Sequence, residues 1–352
     1  MGAWWTRRGA SGSKTASTGP RRWRLRVLGH TQWAIYSPPD GPPLDTTWQM
    51  VRDHRQQLWV ATDKGLWVEQ GKQFRRVLTG RILNLAVGKD DAVWATGSPG
   101  GTVHLIHART FATRSFRIEA LPATRITAGL TIDGEGRPWV ASEYGEVVRG
   151  SPTARGWDWE LMPSLGPSIR ELRILATLSG GEVLALYDQS AALFRRGAWH
   201  PVPEVLQELP YIAAAGPDGE VVLGYKTRPA LTVHRLKGEA IVRTEVLDFA
   251  ATQKNLVIYS LGLGADGRIW AGTGLGLGFV NVKGPKKLRL LGSEDRIIHP
   301  ECNQGALLVE PSRVWIGTPS GLMSYTPAAL PTRPQLRPPV ILSVRVGSRP
   351  LA

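Results

Sequence analysis

The chain has 352 residues, including 40 glycines, 26 prolines and 14 tryptophans, and its formal net charge is +14. This composition is typical of many short strands joined by glycine-rich turns, and it argues against a helical bundle. The single cysteine, Cys302, excludes an internal disulfide. No apolar run in the sequence reaches the ~18 residues of a transmembrane helix.

The first segment along the chain is basic. Residues 1–39 contain seven basic residues and no acidic residue, among glycines, serines and threonines without a hydrophobic pattern. This pattern predicts a basic disordered tail over residues 1–30. Half of the excess charge lies there, so we expect no nucleic-acid partner. The segment also lacks the apolar core of a secretory signal.

A predicted strand at residues 31–37 is followed by a phrase that recurs along the chain. The phrase is an apolar strand, an Asp or Gly turn, a second strand with a tryptophan, and a Thr or Ser before a glycine. The anchor residues of the seven copies are Trp59, Trp94, Trp139, Leu184, Val222, Trp270 and Trp315. Their spacing averages about 43 residues, which is the length of one blade of a β-propeller.

The repeat predicts an all-β fold, a seven-bladed β-propeller of four-stranded antiparallel blades over residues 31–330. The small residues upstream of each anchor suit the crowded innermost strand, and the tryptophan strand comes second. The last copy lacks a fourth strand after Tyr325. We therefore expect the N-terminal strand to complete that blade and close the ring.

The copies Trp59–Leu66, Trp270–Leu275 and Trp315–Leu322 resemble the two-component regulator propeller repeat, and the middle copies match it less well. The resemblance implies the extracytoplasmic, periplasmic ligand-sensing region of a bacterial sensor histidine kinase or nucleotide cyclase. In that family a β-sandwich domain follows the propeller. Residues 331–352 are accordingly interpreted as a linker and the first strand of a truncated β-sandwich, and the kinase or cyclase module is expected to be absent from this chain. A homodimer is compatible with this interpretation, and a cytoplasmic location would follow if the chain truly starts at Met1.

Several sequence motifs resemble catalytic or metal-binding sites, but they coincide with predicted strands and turns of the repeat. The glycine run 272–278 lies between two predicted strands, and His104 and His107 would point to opposite faces of one strand. The acid pairs Asp90–Asp91 and Asp133–Glu135 fall at turns and are interpreted as solvated. We therefore expect no catalytic residue, no metal site and no cofactor, and we predict that the chain is not an enzyme.

Propellers bind ligands on one face, over the central channel. The loops between second and third strands and the entries to the inner strands should share that face. Aromatic residues mixed with Arg, Asp and Gln there would suit a small-molecule ligand, either a carbohydrate or an anionic oligosaccharide. The candidate ligand-binding residues are Trp48, Asp63, Lys64, Arg81, Arg125, Glu143, Tyr144, Arg170, Asp188, Gln189, Lys226 and Tyr259.

Two other functions remain open from the sequence. A stand-alone propeller lyase of the streptogramin-lyase type would need a histidine and acidic residues clustered over a metal at the channel. The position of the histidines relative to the channel face would discriminate it. A protein-interaction scaffold would use the same surface as a sensor, and the sequence does not separate the two.

Overall fold

The computed structural model describes residues 32–37, 41–42, 45–121, 126–166, 169, 171–188, 190–202, 210–216, 219–237, 240–284, 286–291 and 301–327, together with two short strands near the C-terminus. The described residues form only strands, turns and loops. Seven four-stranded antiparallel sheets are present, so the predicted seven-bladed β-propeller is confirmed.

The strands of blades 1 to 3 are β2 (Thr47–Arg52), β3 (Leu58–Thr62), β4 (Gly65–Gln70), β5 (Gln73–Thr79), β6 (Arg81–Val87), β7 (Ala92–Ser98), β8 (Thr102–His107), β9 (Thr113–Arg117), β10 (Thr127–Ile132), β11 (Pro138–Ser142), β12 (Val147–Thr153) and β13 (Gly156–Leu161). Those of blades 4 to 6 are β14 (Leu172–Thr177), β15 (Val183–Tyr187), β16 (Ser190–Arg195), β17 (Ala198–Pro201), β18 (Pro210–Ala215), β19 (Glu220–Tyr225), β20 (Ala230–Lys237), β21 (Ala240–Asp248), β22 (Ile258–Leu263), β23 (Arg268–Thr273), β24 (Gly276–Asn281) and β25 (Arg289–Leu291). Each of these blades pairs its four strands in chain order, from the innermost strand outwards.

Blade 7 is built from both ends of the described propeller. Its inner strands are β26 (Leu307–Glu310), β27 (Arg313–Thr318) and β28 (Gly321–Tyr325), and its outermost strand is β1 (Trp33–Tyr36). The register pairs Trp33 with Tyr325 and Tyr36 with Leu322. The expected closure of the ring by the N-terminal strand is therefore confirmed.

The core is divided among the contacts between blades. The described buried apolar residues form seven clusters, one at each contact between neighbouring blades. The anchor tryptophans lie on the second strands, are at most 2 % exposed, and pack against the following blade. A single four-stranded sheet could not bury these rings, so the blades stabilise one another.

The threonine of the repeated phrase closes the turn into the third strand. The Thr62 hydroxyl accepts a hydrogen bond from the Lys64 backbone N–H at 3.1 Å and donates one to the Gly65 carbonyl at 3.1 Å. Gly65 has a φ of +149°, and an added Cβ would lie 2.2 Å from the Leu78 carbonyl oxygen. Thr273 and Thr318 make the same pair of bonds in blades 6 and 7.

One turn carboxylate differs from its expected environment. Asp133 lies at the turn before β11, as predicted, but the residue is 7 % exposed rather than solvated. Its Oδ2 accepts a hydrogen bond from Trp139 Nε1 at 2.8 Å. Asp53 and Trp59 form the same pair at 2.7 Å in blade 1. The acid therefore satisfies the indole N–H of the anchor, which would otherwise be buried without an acceptor.

The predicted tail at residues 1–30 lies outside the described residues, as does most of the predicted linker and β-sandwich strand at 331–352. Within that C-terminal segment, β29 (Arg345–Val346) pairs with β30 (Arg349–Pro350). The proposed domain boundaries stay predictions.

Candidate functional site: the mouth of the central channel

Two kinds of loop meet on one face of the propeller, as the sequence predicts. The start of β2 pairs with the end of β3 through Thr47 and Thr62, and Thr62 pairs in turn with Gly65 at the start of β4. The entry to the inner strand and the turn between second and third strands therefore lie together. We call this side the mouth face and the opposite side the rear face.

The innermost strands share an irregularity at the mouth face. In blades 1 to 6 the pairing skips one residue near the start of the strand, which is the signature of a β-bulge. The skipped residues are Trp48, Leu83, Ala128, Arg173, Tyr211 and Tyr259. Each stands eleven residues before the anchor of its blade.

The same spacing places Gln304 in blade 7. There the Asn303 N–H donates to the Gly317 carbonyl, and the Gly317 N–H donates to the Ala306 carbonyl, at 2.9 Å each. Gln304 therefore also lies between paired residues. We call these seven positions the mouth ring.

A cavity of about 270 Å³ lies at the mouth face, lined by blades 1 to 4 and blade 7. Five of the seven ring residues line it, together with the carboxylates of Glu143 and Glu171, whereas Tyr211 and Tyr259 are not in its lining. The ring residues in the lining are Trp48, Leu83, Ala128, Arg173 and Gln304. A bulge turns a side chain out of the regular pleat, so the repeated bulge explains why this position faces the channel in successive blades.

A first polar cluster lies where blades 1 and 2 meet at the mouth. Trp48 Nε1 donates to Asp63 Oδ1 at 2.7 Å, and Arg81 Nε lies 2.9 Å from the same oxygen. The Arg81 guanidinium also stacks over the Trp48 ring, 4.8 Å from its centroid. Three of the predicted site residues are thus brought together, and Asp63 fixes the orientation of the indole.

A second cluster is centred on Tyr211. Its hydroxyl donates to Gln304 Oε1 at 3.2 Å, and its ring meets the Tyr259 ring edge-on at 6.1 Å. Two cations face the Tyr211 ring, with Arg173 at 5.2 Å and Lys226 at 5.6 Å from the centroid. Burial raises the pKa of Tyr211 above its ordinary value, although the charge of Arg173 acts in the opposite direction. The phenol therefore stays protonated and can donate at neutral pH.

Arg173 is the most deeply buried charged side chain of the mouth, with a relative exposure of 9 %. Its Nη2 donates to Glu171 Oε2 at 2.6 Å, and Glu171 is itself 53 % exposed at the rim. The Nε and Nη1 atoms are buried and have no hydrogen-bond partner. A buried donor without a partner loses its hydration without compensation, so these atoms mark a place where a ligand would supply acceptors.

The other predicted residues have varied positions. Glu143 lines the cavity, and its Oε1 accepts from the Ile126 N–H at 3.4 Å. Asp188 accepts from the Glu171 N–H at 2.9 Å and so fixes the entry to β14. Lys64 is exposed, and Tyr144, 49 % exposed, is not among the residues that line the cavity. Arg125, Arg170 and Gln189 lie outside the described residues.

The sequence-based prediction missed Arg173, Tyr211, Gln304 and Glu171. The first three occupy the mouth ring, and the constant offset of eleven residues from each anchor would have identified them. The prediction named Trp48 and Tyr259 as strand entries without recognising that they belong to one repeated position. Glu171 carries no such signal, because its importance comes from its contact with Arg173.

The described histidines lie away from the cavity. His54 is in the rear-face turn after β2, while His104 and His107 are on β8. His234, on β20, is buried and lies 2.8 Å from Thr232 Oγ1. Within the described ranges, no histidine lines the cavity, and no group of three His, Cys, Asp or Glu side chains could hold a metal ion.

Comparisons with known proteins place the fold among several functional classes. No protein-family model matches the sequence, and no curated protein matches it either. The structure is similar to the extracellular domain of the putative hybrid two component system BT3049 from B. thetaiotaomicron, with a TM-score of 0.69 and 16 % identity over 90 % of this chain and 44 % of that one. It is also similar to the extracellular domain of the putative one component system BT4673 from the same organism, with a TM-score of 0.64 and 16 % identity over 84 % of this chain and 40 % of that one.

A lyase has the same fold. The streptogramin B lyase structure gives a TM-score of 0.67 and 13 % identity over 83 % of this chain and 96 % of that one.

The likeness to the one component and two component systems confirms the resemblance to the two-component regulator propeller repeat at the level of the fold. The chain spans about two fifths of the length of these two extracellular-domain structures. Among the described residues, no helix has the length and apolarity needed to cross a membrane.

Proposed function

We propose that this chain is the ligand-binding propeller of a signalling receptor, exposed outside the cytoplasm, and that its ligand binds over the mouth ring. The observation that carries the proposal is the chemistry of the ring. Blades 2 and 3 fill the position with Leu83 and Ala128, so the backbone does not require a large or polar side chain there. Packing therefore does not explain the large or polar side chains at the other five positions, which are Trp48, Arg173, Tyr211, Tyr259 and Gln304.

The side chains favour a carbohydrate as the ligand. Indole and phenol rings offer flat apolar faces together with polar edges, and an amide and a guanidinium supply directional hydrogen bonds. This combination of apolar surface and a few convergent polar groups is typical of small-molecule sites. The cavity of about 270 Å³ is open to the mouth face and can hold one sugar unit of a longer chain.

The positions at which the chain enters and leaves the propeller are compatible with a sensing role. β28 runs from the mouth face to the rear face, and the Thr326 N–H donates to the Gln32 carbonyl at 2.7 Å there. In this proposal the ligand would bind at the mouth face, while the chain enters and leaves the propeller at the rear face. Signalling requires that the ligand bind one arrangement of the receptor better than another, because equal affinity would shift nothing. The output module, a kinase or cyclase preceded by a β-sandwich, would lie outside this chain, and two receptor copies could supply the two arrangements.

A ligand screen tests the proposal. The full chain is heated with oligosaccharides released from microbial and plant polysaccharides, and the melting temperature is recorded. A true ligand at 100 times its dissociation constant stabilises the folded state by about 2.7 kcal/mol. Trp48→Ala and Tyr259→Ala should weaken binding about tenfold or more, as loss of a central aromatic contact does.

The control is Val246→Ala, because Val246 is 45 % exposed on β21, the outermost strand of blade 5, and neither belongs to the mouth ring nor lines the cavity. Its affinity should equal that of the wild type. If Trp48→Ala and Tyr259→Ala also bind with the affinity of the wild type, the mouth ring is excluded as the binding site.

The alternative is a stand-alone lyase, which the likeness to the streptogramin B lyases supports. A related structure is a catalytically inactive virginiamycin B lyase from Staphylococcus aureus with quinupristin. Incubation of the full chain with quinupristin, followed by chromatography, tests this directly. Conversion of quinupristin would establish the lyase and overturn the sensing proposal, whereas recovery of the unchanged compound supports sensing.

A further inference from the structure

The surroundings of Arg173 indicate the charge of the ligand, which the mouth ring as a whole does not. Its side chain is 9 % exposed and lines the channel cavity. One nitrogen, Nη2, meets Glu171, while Nε and Nη1 are buried and have no hydrogen-bond partner. A guanidinium has five N–H donors and no acceptor, so its unpaired donors can be satisfied only by oxygen or nitrogen atoms of another group. The desolvated donors need an acceptor from outside the chain.

A second cation lies close to Arg173. The Lys226 amino group approaches the same Tyr211 ring, and both cations lie within 5.6 Å of its centroid. No carboxylate of the described residues lies within ion-pair distance of the Lys226 amino group. Glu171 contacts a single nitrogen of Arg173 and is half exposed, so water screens its charge more than that of the buried guanidinium.

The Tyr211 hydroxyl and Gln304 lie beside this pair of cations. The hydroxyl donates to Gln304 Oε1, which leaves the amide nitrogen of Gln304 free to be a further donor to a ligand at the cavity. This side of the mouth therefore offers several hydrogen-bond donors to a ligand. Glu143, the other carboxylate in the cavity lining, is oriented by the Ile126 N–H of blade 3.

From this arrangement we infer that the ligand of the mouth ring is an anionic saccharide, and that Arg173 binds its carboxylate or sulfate group. The inference rests on the proposed function and specifies the ligand class of the same site. A carboxylate or sulfate oxygen would accept from Nε or Nη1 in a charge-assisted hydrogen bond, which is strengthened because these donors are already desolvated. Trp48, which lines the same cavity, would contact the apolar face of the sugar ring.

The test compares D-galacturonate with D-galactose, which differ in having a carboxylate or a hydroxymethyl group on the same ring. Binding to the full chain is measured by NMR titration at fixed ionic strength, with inorganic sulfate as a second anionic probe. We expect galacturonate to bind about tenfold or more tightly than galactose, as a charge-assisted hydrogen bond allows. Arg173→Gln should abolish this preference, and Arg173→Lys should keep part of it.

Two further variants sharpen the result. Arg149→Gln is the matched control, because Arg149 also stacks over an aromatic ring, at 5.6 Å from Trp139, and pairs with Glu160, but it lies outside the cavity. It should retain the preference for galacturonate. Glu171→Gln removes the carboxylate that competes for Arg173, so it should strengthen galacturonate binding several-fold, a gain that a merely structural role would not produce.

Equal affinity of the wild type for both sugars, or a preference that persists in Arg173→Gln, would overturn the inference. A wild-type protein that binds neither galacturonate nor sulfate would overturn it as well. The wild-type comparison needs no variant to fold. The proposed function is judged separately: it stands if Trp48→Ala and Tyr259→Ala weaken the binding of a neutral oligosaccharide, and it fails if they do not.

Discussion

The Asp133 carboxylate accepts four hydrogen bonds from the protein, which replace the water that it loses on burial. Oδ1 accepts the backbone N–H groups of Glu135 and Arg137 at 3.0 and 2.9 Å. Oδ2 accepts Trp139 Nε1 and Arg137 Nε at 2.8 Å each. One side chain thus holds the turn before β11 and the anchor tryptophan in place. Asp53 organises the turn of blade 1 in the same way.

These bonds make stability dependent on pH. Burial alone would raise the pKa of Asp133, but the hydrogen bonds from Trp139 and Arg137 and the charge of Arg137 together hold it below its ordinary value. The unfolded chain therefore takes up the proton first as the pH falls from an ordinary pKa of about 3.9. The stabilisation is fully present above that pH and is lost as the pH falls through the folded-state value.

Asp133→Ala should lower the free energy of unfolding by about 2–3 kcal/mol, because it leaves the Trp139 N–H and two backbone N–H groups without their acceptor. Denaturant unfolding at pH 7 measures the loss. Glu135→Ala is the control, since the Glu135 side chain is 71 % exposed and should contribute little. The difference between Asp133→Ala and the wild type should shrink at pH 3. A difference that is the same at both pH values would contradict the pKa shift.

The sequence indicated that Asp133 is at a turn but not that it is buried. An Asp before a glycine is typical of a solvated turn, and the acceptor role depends on the indole six residues later, which only the antiparallel register brings back to the turn. The repeat of the Asp–Trp spacing in blades 1 and 3 was the available signal.

At the scale of elements, β1 joins the first and last blades through its aromatic side chains. The Trp33 ring lies 4.7 Å from the Tyr325 ring on β28. The Tyr36 ring lies 4.9 Å from Trp315 of blade 7 and 6.2 Å from Phe74 of blade 1. The strand therefore covers the edge of β28 and also contributes to the contact between these blades.

Deletion of residues 1–37 should lower the melting temperature and cause self-association, because it exposes the unpaired edge of β28. Deletion of residues 1–30 is the matched control and should change neither property. Calorimetry and size-exclusion chromatography measure the two effects. A protein that lacks residues 1–37 yet remains monomeric and as stable as the control would show that β1 does not close the ring.

The sequence predicted β1 and its partner because the last repeat lacked a fourth strand. The bulges of the inner strands were not predicted, since a bulge is defined by which residues of two strands face each other, and the apolar pattern of one strand does not specify this. That is why Arg173 and Tyr211 were missed although the strands that carry them were expected.

At the scale of the whole molecule, the contact between blades 7 and 1, which closes the ring, contains two ion pairs that share one arginine and join three strands. Arg52 on β2 donates to Glu310 on β26 through Nε at 2.6 Å and Nη2 at 2.9 Å, and its Nη1 donates to Glu69 on β4 at 3.0 Å. Glu310 also accepts Trp315 Nε1 at 2.7 Å. Burial alone would raise the pKa of Glu310, but Arg52, Trp315 and Arg313 lower it. Blade 1 is thus fixed to blade 7 by charge as well as by packing.

Because every blade contacts two neighbours, we expect the ring to unfold in a single transition. Trp139→Ala, between blades 3 and 4, and Trp315→Ala, at the closure, should each cost about 3–5 kcal/mol. Leu161→Ala is the control, as Leu161 is 56 % exposed on β13. Chemical denaturation followed by fluorescence and circular dichroism checks this. A separate early transition in Trp315→Ala alone would show that the closure opens independently.

The fold was predictable as a whole because a period near 43 residues admits few architectures. The site was predictable only in part. Trp48, Asp63 and Arg81 belong to adjacent blades and fall close together in sequence, whereas Arg173, Tyr211 and Gln304 meet only once the ring has formed.

The pairing of Gln32 with Thr326 has a mechanical consequence. These residues are at the same end of the β1–β28 ladder, so tension on the segments before and after the propeller would pull the two strands apart from that end. The backbone hydrogen bonds between β1 and β28 would then break one after another, rather than all together as they do when paired strands are pulled in shear. The seven buried contacts between blades would then contribute little to the force at which the propeller begins to open, because the β1–β28 ladder separates first.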